Sequence, residues 1–98
     1  MDMSTKSRSA SLARVTNVRV RYFAGARGAT GLAEEAVTVP DGATVGDLVA
    51  TLGTRHGEKL TRVLTACSFL LDGVAVRDLA THLPDRADLD VLPPFAGG

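Results

Sequence analysis

"TVGDLVATLGTRHG", Thr44 to Gly57, is the stretch on which the fold turns, because its apolar spacing differs from that on either side. Val45, Leu48, Val49 and Leu52 recur at three- and four-residue intervals, which puts them on one face of a helix. Thr44 stands three residues ahead of Asp47, a capping box with Asp in place of the usual Glu. The helix is expected to stop near Gly57, with Gly53 weakening its last turns by up to roughly 1 kcal/mol relative to alanine. Glu58 to Ala66 then repeats the pattern in shorter form, with Leu60, Val63 and Leu64 on one side.

Upstream of this helical block the period is two. In Asn17-Val18-Arg19-Val20-Arg21-Tyr22-Phe23 the residues Val18, Val20 and Tyr22 alternate with Arg19, Arg21 and Phe23, predicting a strand with one apolar and one charged face on which Phe23 stands out. Ala24 to Gly31 is broken by three glycines and reads as a compact loop. Glu34 to Pro40 alternates again, and Pro40-Asp41-Gly42 forces a turn. Downstream, Ser68 to Leu71 and Val74 to Val76 flank Asp72-Gly73, a strong two-residue hairpin signal. Leu89 to Leu92 alternates once more and Pro93 stops it.

Two strands, a helical crossover, two strands and a last strand define an α+β chain. A crossover between parallel strands needs a helix, so the first and last strands are expected side by side in a mixed sheet of about five strands, with a helix across one face. That is the β-grasp, or ubiquitin-like, arrangement. Residues 1–16, rich in Ser, Lys and Arg, are expected to form a flexible leader, 17–93 the folded domain and 94–98 a flexible tail.

Ninety-eight residues fit a single domain, and 11 basic side chains balance 11 acidic ones. Balanced charge argues against a dedicated nucleic-acid binder. Lys6, Arg8, Arg14, Arg19, Arg21 and Arg27 crowd the first third and read mainly as a solvated segment. With one cysteine, Cys67, the chain has no intramolecular disulfide and no cysteine-based metal site of its own. No apolar run is long enough for a bilayer and no signal-peptide pattern opens the chain, so the expected compartment is the cytoplasm.

The internal candidates for chemistry each have an ordinary explanation. Gly25, Gly28 and Gly31 are spaced G-x-x-G-x-x-G rather than G-x-G-x-x-G, and a strand is expected after them, not a long helix. His56 sits where a helix should end, His82 in a polar connection, and neither has a nucleophile nearby in sequence. Cys67 borders an apolar strand and reads as a small buried hydrophobe. Asp85, Asp88 and Asp90 read as turn residues and a solvated strand face. No cofactor or metal is expected on this chain.

Attention therefore shifts to "VLPPFAGG", Val91 to Gly98. Gly97 and Gly98 can thread a narrow channel, Pro93 and Pro94 stiffen the strand exit, and Phe95 offers an apolar anchor. Extended, Pro94 to Gly98 reach about 18 Å. The carboxylate of Gly98 is ionised near neutral pH and electrophilically inert, so a partner would have to activate it, for which ATP is the expected co-substrate.

These residues carry a resemblance. Through "VRYFAGARGATG", "CSFLLDGVAV" and above all "VLPPFAGG", the chain from Asn17 to Gly98 resembles the MoaD/ThiS family of ubiquitin-like sulfur-carrier proteins, and the Pro-Pro pair is more similar to its molybdopterin branch than to its thiamine branch. The resemblance implies that an E1-like adenylyltransferase of the MoeB type, using its own ATP, adenylates Gly98. Sulfur from a rhodanese or cysteine desulfurase then makes a thiocarboxylate. A MoaE-like large subunit, in a heterotetramer, would transfer that sulfur to cyclic pyranopterin monophosphate. It also implies partner contacts at Phe23, Ala75 and Leu92, and along Pro94, Phe95, Ala96 and Gly97. A sulfur carrier for thiamine, cysteine or another metabolite, a protein modifier joined to lysines through Gly98, and a plain interaction module are the competing readings.

Overall fold

The computed structural model describes residues 14–94, and the elements below are those found among them. Five strands form one sheet: β1 Val15–Tyr22, β2 Glu34–Pro40, β3 Ser68–Leu71, β4 Val74–Ala75 and β5 Ala87–Leu92. Three helices, α1 Ala24–Thr30, α2 Val45–His56 and α3 Glu58–Leu64, join them. The spatial order is β2-β1-β5-β3-β4, with β1 and β5 parallel at the centre and every other pair antiparallel. This is the mixed β-grasp sheet expected from the crossover.

The helix that decided the fold forms as its sequence dictates. Thr44 accepts a hydrogen bond from the Asp47 backbone N–H at 3.1 Å, and the Asp47 carboxylate accepts one from the Thr44 N–H at 2.9 Å, so two otherwise orphaned donors are satisfied at once. Val45, Leu48 and Leu52 are fully buried, and with Leu60 of α3 they pack against Val18, Val20, Tyr22, Leu89 and Val91 of the central strands. Each fully buried large aliphatic side chain contributes roughly 1.5–3 kcal/mol. Gly53 has a packing role besides its cost to the helix. A Cβ there would stand 2.9 Å from the Thr61 hydroxyl, so the bare backbone lets α3 lie close against α2.

Four expectations need correction. Ala24 to Gly31 is not a loop but a helix of 7 residues, Ala24–Thr30, about two turns, capped by Gly31. Ala24 enters the element with a left-handed φ of 48°, Ala26 and Ala29 supply the best helix former, and burial of Ala26 against the core outweighs the roughly 1 kcal/mol that each of Gly25 and Gly28 costs. Strand β1 starts at Val15, two residues before the expected boundary, because Thr16 is inward-facing, 1% exposed, and its hydroxyl donates to Asp41 at 3.2 Å. Phe23 lies just past β1 and caps α1 in an extended conformation. The second helix ends at Leu64 rather than Ala66, its last turn closing into the tight turn that enters β3.

The Asp72-Gly73 hairpin is as expected. Both residues have positive φ, 49° and 84°, the signature of a type I′ turn whose twist matches the flanking strands.

Candidate functional site

Strand β5 brings the chain to the site. It runs parallel to β1 and antiparallel to β3, and delivers Leu92 and Pro93 to the sheet end where β1 finishes and β3 begins. Side chains alternate along it. Ala87, Leu89 and Val91 face the helices, so Asp88, Asp90 and Leu92 face outward, onto a side that none of the described helices covers.

The outer face carries two kinds of row. Lower down, Arg19 of β1 lies level with Asp88 and Arg21 with Asp90, and each guanidinium makes a forked pair with its carboxylate: 3.0 and 3.1 Å for the first, 2.6 and 3.0 Å for the second. Hydrogen bonding to Arg19 holds the Asp88 carboxyl below its ordinary range. Asp90 departs from its reading as a solvated residue, being 8% exposed under the Arg21 side chain. These arginines are neutralised in place, which removes them from the basic excess seen in the sequence.

At the top of the face the residues are apolar. The Phe23 N–H donates to the Val91 carbonyl at 3.3 Å, which continues the parallel register and sets Phe23, 40% exposed, beside Leu92. Leu92 is opposite Ser68, and one row down Asp90 is opposite Leu70, which is opposite Ala75. The structure thus brings Phe23 and Leu92 together and places Ala75 at the far edge, three strand spacings or about 14 Å from the Phe23 strand. Leu70 bridges that gap and was missed. No local signal gave it: Phe69, Leu70 and Leu71 form an apolar run, and only the pairing shows that Phe69 and Leu71 face inward and Leu70 the solvent side. Pro94 is exposed, while Phe95, Ala96, Gly97 and Gly98 lie outside the described residues.

The remaining candidates have structural duties. Glu35 of β2 accepts from the Tyr22 hydroxyl at 2.5 Å and from Arg55 at 3.0 Å, and His56 Nε2 lies 2.5 Å from the same oxygen as Tyr22. An ionised carboxylate only accepts, so that nitrogen carries the proton. His56 also meets the Tyr22 ring edge-on, with centroids 5.9 Å apart. The cluster ties β1, β2 and the C-terminus of α2 together. His82 forms an isolated bridge with Thr44. Burial pushes the Cys67 thiol up, and its Sγ donates to the Val63 carbonyl at 3.2 Å, an arrangement opposed to thiolate chemistry. Among the described residues no three His, Cys, Asp or Glu side chains come together as a metal would require, and no helix is long and apolar enough to cross a membrane.

Comparison with known proteins gives a consistent picture. Residues 20–98 match the ThiS family. The molybdopterin synthase sulfur carrier subunit of Chlamydomonas reinhardtii is 33% identical over 82 residues, covering 83% of this chain and 98% of the relative. The crystal structure of SAMP1, a small archaeal modifier protein of Haloferax volcanii, superposes with a TM-score of 0.74 at 27% identity, covering 84% of this chain and 99% of that one. A chain of the complex of subunits 1 and 2 of the Helicobacter pylori molybdopterin-converting factor superposes with a TM-score of 0.60 at 28% identity, over 85% of this chain and 100% of that one.

Proposed function

We propose, from the premise that this chain belongs to the ThiS family, that it is the sulfur-carrying small subunit of a molybdopterin synthase. The observation that carries the reading is that the family match runs through residue 98, so the Gly97-Gly98 pair belongs to the matched pattern.

In this reading an E1-like partner of the MoeB type attaches AMP from ATP to the Gly98 carboxylate, turning an inert anion into an acyl group with a good leaving group. The outer sulfur of a persulfide on a rhodanese or cysteine desulfurase displaces AMP to give an acyl disulfide, and a second thiol then attacks the donor's sulfur, forming a disulfide with it and releasing Gly98 as a thiocarboxylate. A large subunit then accepts the tail and passes sulfur to cyclic pyranopterin monophosphate. The Helicobacter pylori complex of subunits 1 and 2 supports a partner of that kind. Phe23, Leu92 and Leu70 are the surface for it. They sit on the uncovered face beside the point where the chain leaves the sheet, so a partner gripping them is already at the root of the tail.

Intact-mass measurement of the chain co-expressed with its activating enzyme and sulfur donor tests this. The expected result is exchange of one oxygen for sulfur, localised to the terminal peptide, since oxidation of Met1 or Met3 gives nearly the same shift. A terminus that stays a plain carboxylate under those conditions sinks the carrier reading. The likeness to SAMP1 favours one second reading, a protein modifier, and lysine-linked adducts through Gly98 in the same experiment would select it.

A further inference from the structure

On the flank of the fold, between the helices and the β3–β4 edge, lies a groove of about 880 Å³ that meets the proposed partner surface only at Leu70 and Ala75. Val49 and Gly53 of α2, Thr61 and Leu64 of α3, and Phe69 and Val76 on the sheet side line it. Its lining is apolar and hydroxyl-bearing, with a single charged residue, Arg77, and no acid. Among the described residues no carboxylate lies within ion-pairing distance of Arg77. A groove of this composition suits a ligand with one large apolar group followed by small units and a single negative charge.

The segment beyond Pro94 has that composition: Phe95, Ala96, Gly97 and Gly98, with Gly98 bearing the free carboxylate on which the sulfur-carrier reading rests. It also starts in the right place. Leu92 is the register partner of Ser68, and Ser68 and Cys67 line the mouth of the groove. One strand further out, the antiparallel register of β3 and β4, extended past Val76, brings Arg77 level with Ser68. Leu92 and Arg77 are thus about two strand spacings, or roughly 10 Å, apart. The six residues from Pro93 to Gly98 reach at most roughly 20–22 Å when extended, which spans that gap with room for the chain to turn.

We infer that this groove is a binding site for the chain's own terminus, with Phe95 seated among Val49, Phe69 and Val76 and the Gly98 carboxylate against Arg77. The occupied state sequesters the terminal carboxylate until a partner draws the tail away, and it gives Phe95 an apolar seat in the free protein. No bond is made or broken. Docking stands or falls independently of whether Gly98 is ever activated, because it concerns the free carboxylate form.

Cys67, the chain's one cysteine, lines the groove and reports on its occupancy. The test is the rate at which a bulky thiol reagent labels the full-length protein at one fixed pH, without any activating enzyme. If the docked state holds nine-tenths of the molecules, labelling is about tenfold slower than in Phe95→Ser, where the anchor is lost. Added to Phe95→Ser, the free peptide Pro-Pro-Phe-Ala-Gly-Gly should restore protection, and the same peptide with an amidated C-terminus should protect less, since it has no charge for Arg77. Equal labelling of the wild-type and Phe95→Ser chains overturns the inference. So does protection that disappears on dilution, which would assign the groove to the tail of a second copy, or equal protection by the acid and amide peptides. Unchanged circular dichroism and melting of Phe95→Ser confirm that the readout concerns the groove and not the fold.

Discussion

The two faces of this sheet are cut from the same strands and follow different rules. Facing the helices, Val18, Val20 and Tyr22 of β1 lie level with Ala87, Leu89 and Val91 of β5, none more than 2% exposed. One residue out of phase on the same two strands, Arg19 and Arg21 lie level with Asp88 and Asp90, and above them stand Phe23 and Leu92. The inner face is almost wholly apolar because a polar group there must find a partner, as the two β1 hydroxyls do, Thr16 on Asp41 and Tyr22 on Glu35. The outer face is graded, from ion pairs to an apolar patch at the chain's exit. The parallel register is consequently specified twice: a slip by one residue would set arginines against the core and valines against aspartates.

The sharpest way to break this distinction is along β5 itself. Leu89→Ala, on the inner face, should cost about 2–5 kcal/mol in denaturant unfolding with an unchanged slope. Leu92→Ala, three residues on and facing out, should cost much less, and in the proposed function it should weaken capture by a large subunit. Equal losses of stability at the two positions would mean that the outer face is part of the core.

Next in size is the clasp at Glu35, which secures edge strand β2 to the rest. Glu35→Ala leaves the buried Tyr22 hydroxyl without its acceptor and should cost about 1–3 kcal/mol. Its pH dependence has a defined sign. Burial opposes ionisation of Glu35, but hydrogen bonds from Tyr22, His56 and Arg55 outweigh it and hold the carboxyl below its ordinary value. The clasp therefore contributes in full above about pH 4.3 and loses its effect as pH falls through the lower folded value. Tyr22 behaves oppositely: burial, and then the Glu35 carboxylate, hold its phenol far above the usual range. Its contribution is complete below about pH 10 and fades as pH rises from there. In Glu35→Gln, urea midpoints across the acid range should fall less steeply than in the wild type, and an equally steep fall would remove Glu35 from the account.

What could be read from the sequence follows the same division. The inner face was legible because an apolar period of two or of three to four leaves few alternatives once Thr44 and Asp47 mark the helix start. Helix α1 was not, since three glycines signal a turn locally and only burial of Ala26, a tertiary contact, overrides them. The outer face was half legible. Phe23 and Leu92 were singled out, but Leu70 hid inside an apolar run in which direction cannot be told without the pairing partner, and Asp90 resembled every other exposed acid until β1 laid Arg21 over it. The Glu35 clasp joins residues 13 to 21 positions apart in the chain, a distance over which no local pattern announces a contact.

A smaller effect separates the two ion pairs, which look alike in sequence. Arg19 and Asp88 have side chains 51% and 33% exposed, whereas Asp90 under Arg21 retains 11%. Water can replace Arg19 for Asp88, so Arg19→Ala should leave the unfolding midpoint nearly unchanged, with whatever loss it shows disappearing at high salt. Arg21→Ala strands a carboxylate that water reaches poorly, so its midpoint should fall further and recover less with salt. Because the cost arises from the unpaired group rather than from the lost attraction, adding Asp90→Val to Arg21→Leu should restore most of the stability, which simple loss of a favourable pair would not allow. Midpoints that fall equally for Arg19→Ala and Arg21→Ala, or a double variant weaker than Arg21→Ala alone, would show that the gradation from wet to dry along the outer face has no energetic consequence.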